Sequence, residues 1–238
     1  MSNFSDITTI ILAGGLGTRI RELVSDRPKV LAEIKGKPFI FYLLNQLASL
    51  NVKEVIISTG YMADEVEKAL GPNYNGLKLQ YSKEEKPLGT AGALRLASFR
   101  INSPECLIMN GDSFVEFELD ALCSFHRKKN AGITMVVKKI DDIKRFGVVE
   151  LNSNNEIIRF IEKGSLVGEG FINAGVYLME SELINKIPLK KPCSLEYDFF
   201  PMKVNKSLFA HQVSGRFIDI GTHESFYEAD KFFETINL

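Results

Sequence analysis

An α/β fold with a mixed, mainly parallel sheet is predicted by three observations. Short apolar, β-branched runs alternate with longer helix-like segments through the first half of the chain, and the first run ends in glycines. At 238 residues the chain is long enough to cover such a sheet on both faces. No linker, low-complexity tract or repeat divides it, so the expectation is one domain over residues 1–238.

Thr8 to Ala13 is the opening strand, feeding a glycine loop. Pro38 to Leu50 reads as a mostly buried helix with proline in its first turn. The alternation continues with Glu54 to Thr59 as strand, Ala63 to Leu70 as helix closed by Gly71-Pro72, Leu77 to Tyr81 as strand and Thr90 to Phe99 as helix. Cys106 to Asn110 is another apolar strand, ending in Gly111-Asp112-Ser113. Right-handed crossovers then place ligands at the carboxyl ends of parallel strands.

After a helix over Leu119 to Asn130 the pattern changes to closely spaced strands at Ile133 to Lys138, Gly147 to Leu151 and Ile157 to Ile161, which predicts hairpins. Phe171 to Met179 returns to strand. Ser181 to Ile187 reads as a helix capped by Ser181, and Leu195 to Val204 as a second helix. Leu208 to Val213 and Phe217 to Ile220 are short strands before a closing helix with Gly221 or Thr222 at its cap.

The composition narrows the function classes. Apolar residues at 45% and charged residues at 25% are ordinary for a globular protein, which excludes disorder. A formal charge of -1 with dispersed Lys and Arg gives no footprint for nucleic acid or an acidic membrane. No stretch approaches the ~18 apolar residues of a membrane span, and no secretory leader opens the chain, so a cytoplasmic location is expected. Cys106, Cys123 and Cys193 are too dispersed for a CxxC site. His126, His211 and His223 lack zinc-ligand spacing, and no Gly-x-Ser-x-Gly elbow signals a Ser-His-Asp triad. Self-association is left open.

The chemistry is concentrated in short segments. Leu12-Ala13-Gly14-Gly15-Leu16-Gly17-Thr18-Arg19 follows a strand, and its glycines let backbone N–H groups turn toward an anion. It lacks the Gly-Lys-Ser/Thr ending of a Walker loop, and Ile20 stands where a dinucleotide fingerprint needs a third small residue. Arg19, Arg21, Arg27 and Lys29 add four cations. Arg19 and Lys29 are candidates to neutralise a leaving pyrophosphate, whereas Arg21 and Arg27 are equally consistent with a solvated surface.

Leu-Ala-Gly-Gly-Leu-Gly-Thr-Arg followed by Arg27-Pro28-Lys29 resembles the signature of the sugar-1-phosphate nucleotidyltransferases. The resemblance continues in order through Pro87 to Ala93, Asn110-Gly111-Asp112, Phe160 to Lys163, Asn173-Ala174-Gly175 and Asp219 to Thr222. It implies a Rossmann-like, three-layer α/β/α, glycosyltransferase-A-like fold, with a nucleotide-binding part over about residues 1–130 and a sugar-phosphate part over about 131–238.

By position, the resemblance assigns triphosphate binding to Leu12, Ala13, Gly14, Gly15, Gly17, Thr18 and Arg19, with Arg19 and Lys29 as the catalytic cations. Glu84, Pro87, Gly89 and Thr90 fall beside the nucleobase, where Thr90 is also a candidate helix cap. Asp112 and Asp219 are the implied Mg²⁺ ligands, two hard carboxylates that suit a cation also bridging substrate phosphates. Asn110, Glu162, Lys163, Asn173 and Gly175 fall on the sugar-phosphate side. Gly164 departs from the pattern, standing where many members carry proline.

The implied reaction is in-line attack by a sugar 1-phosphate oxygen on the α-phosphorus of a nucleoside triphosphate, releasing pyrophosphate. The attacking oxygen is already ionised near neutral pH, so no general base is required and the missing triad is expected. The stretch Val24 to Lys29 is most similar to the D-glycero-α-D-manno-heptose 1-phosphate guanylyltransferases, which implies GTP as nucleotide. Mannose-1-phosphate guanylyltransferases, uridylyltransferases and a non-catalytic nucleotide-sugar sensor are the alternatives. Leu238 follows closely on the closing helix, so the β-helix acyltransferase domain of bifunctional relatives is not expected.

Overall fold

The computed structural model describes residues 7–15, 17, 20, 24, 26–161, 164, 167–189 and 191–236. In chain order, β1 (Ile7–Leu12) leads through the glycine loop to a 3-10 turn at Lys29–Leu31 and the small β2 (Glu33–Ile34) and β3 (Lys37–Pro38) pair. Then come α1 (Phe39–Ser49), β4 (Glu54–Thr59), α2 (Ala63–Leu70), β5 (Asn73–Tyr74), β6 (Leu77–Lys83) and α3 (Gly89–Ala97). The chain continues with β7 (Glu105–Asn110), β8 (Ser113–Val115), α4 (Leu119–Lys129), β9 (Ile133–Ile140), β10 (Val148–Leu151) and β11 (Ile157–Ile161). It closes with β12 (Gly170–Glu180), α5 (Ser181–Asn185), β13 (Leu208–Val213), β14 (Phe217–Asp219) and α6 (His223–Glu234).

The mixed, mainly parallel sheet is present. Strands β6, β4, β1 and β7 lie side by side and parallel, as the buried alternation of the first half requires, and β13 pairs parallel with β9. The antiparallel pairings gather around β12, which takes β9 along one edge. Its other edge is shared: β10 pairs with Phe171 and Ile172, and β7 with Val176 to Glu180. Asn173 N still donates to the Gly147 carbonyl just before β10, so the change from β10 to β7 leaves Ala174 and Gly175 without a partner on that edge.

Alternation along the strands splits the core into two layers. Ile11, Val55, Ile57, Leu107 and Met109 face α1, α2, α4 and α6. Ile10, Ile56, Cys106 and Ile108 face α3 and α5 together with Phe199 and Phe200. Each interior strand is therefore buried on both sides, and a Leu or Ile to Ala change there typically costs about 2–5 kcal/mol.

Three local expectations are corrected. Leu195 to Val204 is not an α-helix but a π-type turn at Leu195–Phe199 followed by a 3-10 turn at Pro201–Lys203, where Pro201 cannot continue the ladder. Ser181 does not cap α5; Glu180 occupies that position, and the Ser181 hydroxyl donates to the Ser103 carbonyl. Thr90 does not cap α3, for a reason given below. Thr222, by contrast, caps α6 in a reciprocal arrangement with Ser225.

Candidate active site

The glycine loop is held where three strands end. Ala13 N donates to Ser58 O at 2.7 Å, and Gly111 N to Leu12 O at 2.9 Å, so the loop is tied to the ends of both flanking strands. A Cβ at Gly14 would lie 3.3 Å from Gly60 N and displace the Glu84 carboxylate, so glycine lets both pack closely against the loop. Gly15 is exposed and faces open space. Leu16, Thr18, Arg19 and Arg21 lie outside the described residues. Arg27 takes the surface reading, since its guanidinium is engaged by Asp26 at 3.0 Å and Glu33 at 2.6 Å.

Glu84 packs against this loop from the end of β6. Its Oε2 accepts a hydrogen bond from Leu88 N at 2.8 Å, and burial pushes its carboxyl above the usual glutamate range. The N-terminus of α3 is satisfied from elsewhere in the chain: Ala91 N and Gly92 N donate to the Cys193 carbonyl at 2.9 and 3.2 Å. Thr90 is thereby released from capping, and its hydroxyl donates to Glu196 Oε2 at 3.1 Å while accepting from Leu195 N at 2.8 Å. The segment 193–197 is in this way fixed to the start of α3.

The two sequence-selected aspartates come together because β8 pairs with β14. Asp219 is in register with Ser113, and Ile220 N donates to Asp112 O at 2.9 Å. Lys29 Nζ lies 2.6 Å from Asp112 Oδ2, and its side chain is only 9% exposed, so this cation depends on a carboxylate partner. Asp219 Oδ2 accepts from Gly221 N at 3.0 Å. Its Oδ1 is buried without a hydrogen-bond partner, with Arg145 Nη2 at 3.7 Å.

Among the described residues no group of three or more His, Cys, Asp or Glu side chains could enclose a metal. A pair of carboxylates, one with an orphaned buried oxygen, instead fits a hard cation that completes its shell with water and substrate oxygens. Asp112 and Asp219 are therefore a chemically suitable Mg²⁺ pair.

Across the seam lies the unpaired stretch of β12. Asn173 Nδ2 donates to the Tyr177 hydroxyl at 2.8 Å, and Gly175 N donates to Asn173 Oδ1 at 3.0 Å. Gly175 has φ +78°, and a Cβ there would lie 3.0 Å from Asn110 Nδ2. Asn110 Oδ1 is a second buried acceptor without a partner. Tyr177 is fully buried, and burial pushes its phenol far up, which keeps it neutral as a hydrogen-bonding group. Glu162 and Lys163 lie outside the described residues. Gly164, the departure from proline, has φ +82°, a conformation closed to proline.

All these parts open on one cleft of about 570 Å³. Each described residue selected from the sequence lines it: Leu12, Ala13, Gly14, Gly15, Gly17 and Lys29; Glu84, Pro87, Gly89 and Thr90; Asn110, Asp112, Asn173, Gly175 and Asp219. The sequence reading missed Ser113, Phe146, Gly147, Phe217, Glu196 and Tyr197, which also line it. A helix over Leu195 to Val204 gives no local reason for Glu196 and Tyr197 to enter a cleft. The signal available was Ser194 before two acids, whose hydroxyl accepts from Glu196 N and Tyr197 N at 3.2 Å.

Residues 8–236 match the nucleotidyl transferase family. The chain is 34% identical over 223 residues to a D-glycero-alpha-D-manno-heptose 1-phosphate guanylyltransferase of Aneurinibacillus thermoaerophilus, covering 93% of this chain and 96% of that protein. It is 36% identical to a mannose-1-phosphate guanylyltransferase catalytic subunit beta of Drosophila pseudoobscura pseudoobscura, covering 91% of this chain but 60% of that protein. The crystal structure of HddC from Yersinia pseudotuberculosis complexed with GMP-PN superposes with a TM-score of 0.85 at 31% identity, covering 95% of this chain and 99% of that one. Among the described residues of the present chain, no helix is long and apolar enough to cross a membrane. With its matched length, fold and cleft in agreement, the chain belongs to the nucleotidyl transferase family.

Proposed function

We propose that this protein transfers GMP from GTP to D-glycero-α-D-manno-heptose 1-phosphate, giving GDP-D-glycero-α-D-manno-heptose and pyrophosphate for a surface polysaccharide. The observation that carries the reading is that one cleft gathers the glycine loop, Lys29, the two aspartates and the Asn173 to Gly175 turn. The full-length similarity to a heptose 1-phosphate guanylyltransferase supports the choice of sugar and base. One domain, divided at about residue 130 between nucleotide and sugar phosphate, and a cytoplasmic setting go with this reading.

In the reaction, a sugar 1-phosphate oxygen forms a bond to the α-phosphorus as the α–β bridging bond breaks, and that electron pair leaves on pyrophosphate. The backbone of Gly14, Gly15 and Gly17 cradles the triphosphate with Thr18 and Arg19, and Lys29 with Arg19 stabilises charge moving onto the leaving group. Glu84, an acceptor when ionised, suits a base edge that presents N–H donors, as guanine does. Asn110, Glu162, Lys163, Asn173 and Gly175 seat the sugar phosphate. Asp112 and Asp219 would hold Mg²⁺, which supplies charge neutralisation on the phosphates when bound.

A matrix of pyrophosphate release tests the reading, with GTP, UTP, dTTP, CTP and ATP set against heptose, mannose and glucose 1-phosphates, with and without Mg²⁺. The expected result is fastest Mg²⁺-dependent turnover of GTP with the heptose 1-phosphate. Faster turnover of GTP with mannose 1-phosphate would establish the second reading, which the similarity to the Drosophila subunit favours over part of that protein's length. No turnover with any pair would support the non-catalytic sensor.

A further inference from the structure

Neither the resemblance nor the reaction above employs Arg145, yet it joins the two sides of the cleft. It lies between β9 and β10, directly before Phe146 and Gly147, both of which line the cleft. The Gly147 carbonyl accepts from Asn173 N at 3.0 Å, so this connection also fixes the sugar-side turn. The Arg145 guanidinium reaches the other way, with Nη1 donating to Thr222 Oγ1 at 2.7 Å and Nη2 lying 3.7 Å from Asp219 Oδ1. Glu224, at 3.9 Å, is the other acid beside it.

Asp219 Oδ1 is buried and accepts no hydrogen bond, so its negative charge is balanced across a gap by Arg145 rather than consumed by it. A guanidinium a few ångströms away compensates such a charge partially. A divalent cation arriving at Oδ1 would meet that same positive charge at close range.

We propose that Arg145 is a positioning residue that acts as the resident counter-charge of Asp219, weakening the hold of that carboxylate on a divalent cation and making cation binding shift the Phe146–Gly147 connection. The proposal rests on the assignment of Asp219 to metal binding given above. Its consequence is coupling across the cleft: an incoming cation displaces the guanidinium from Asp219, and the backbone that carries Phe146, Gly147 and the contact to Asn173 responds. The metal-loaded nucleotide side thereby prepares the sugar side.

The test uses Mn²⁺ as a paramagnetic substitute for Mg²⁺, titrated into the nucleotide-free full chain and followed by electron paramagnetic resonance. Arg145→Gln removes the competing charge and should tighten Mn²⁺ binding about tenfold; Arg145→Glu should tighten it further. Arg145→Lys keeps the charge but loses the planar fork, so its Kd should stay within about twofold of the parent. A merely structural role would make Lys and Gln equivalent.

The chain contains no tryptophan, so Phe146→Trp provides a single emission signal. That signal should change with Mn²⁺ when Arg145 is present and lose most of the change in the Arg145→Gln background. An unaltered Kd in Arg145→Gln, or an emission change independent of Arg145, overturns the proposal alone. Absence of Mn²⁺ binding in the parent and in every variant overturns the proposal, whereas turnover independent of Mg²⁺ overturns the metal assignment beneath it.

Discussion

In the function proposed above, the two walls of the cleft would recognise their ligands by different means. The nucleotide wall is built at the carboxyl ends of parallel strands, and there the backbone provides the grip: a glycine loop tied to Ser58 and Gly111 and closed by Glu84. The sugar wall is built where β12 changes neighbours, and there side chains converge from Asn110, Asn173 and Glu196. A phosphate needs many equivalent donors, which a short turn supplies. A sugar needs distinct donors and acceptors in different directions, which only long-range packing can assemble.

The aspartates belong to neither wall, so a change there should damage both functions. Asp112→Asn keeps the shape and the β8 turn but removes a charge from the suitable Mg²⁺ pair. Turnover should fall about 100- to 1000-fold, the scale seen when a charge-stabilising group is lost, with the drop appearing in kcat whichever substrate is varied. Initial rates across Mg²⁺ concentrations check this. Unchanged turnover would sink the metal assignment and leave the two walls without a shared centre.

Gly175 tests whether the sugar wall can be damaged alone. Alanine there must hold φ near +78° and crowd Asn110 and Ser113, so a loss of about 1–3 kcal/mol of stability is expected in urea denaturation. Surviving enzyme should show a raised KM for the sugar phosphate and an unaltered KM for GTP. Glu196→Gln is milder, since the hydrogen bonds from Thr90 and Ser194 to Oε2 survive in a neutral form. If the Glu196 carboxylate in the cleft accepts from a sugar hydroxyl, a charged hydrogen bond of about 1.5–3 kcal/mol is lost, and kcat/KM for the sugar phosphate should drop by about tenfold or more. A matching rise in the KM for GTP would erase the distinction between the walls, because Glu196 also touches Thr90.

The same contrast explains what the sequence disclosed. Strands β4, β11 and β13 and helix α2 have the boundaries their apolar patterns and closing residues indicate. The residues flanking Gly14, Asp112 and Asp219 were legible because each sits in a contiguous segment at a strand end. Phe146 and Glu196 were not, since Phe146 enters the cleft from an ordinary connection and Glu196 from a turn that depends on Thr90 and Ser194. The Cys193 carbonyl displaced Thr90 as the cap of α3 across a separation of about one hundred residues, and no local propensity encodes such a contact. The antiparallel crowding around β12 was visible as closely spaced strands, but its change of partner at Asn173 to Gly175 is a product of topology.

The smallest predicted effect concerns Glu84 and the cost of closing the nucleotide wall. Burial raises its folded pKa above the ordinary 4.5 while the Leu88 N–H opposes the shift. Between the unfolded and the folded pKa, the folded protein binds more protons than the unfolded chain, so stability falls as pH rises through that window. Glu84→Gln removes the titration but can still accept from Leu88 N through its carbonyl oxygen. Urea midpoints taken from about pH 4 to about pH 7 should therefore decline less with rising pH in the variant than in the parent, since only the parent ionises a half-buried carboxyl there. Nucleotide binding sharpens the reading. If Glu84 also accepts from guanine N–H groups, GTP should favour the ionised form and lower the Glu84 pKa, reducing the parent's stability loss across the same window, whereas a purely structural Glu84 would keep its pKa when GTP is bound.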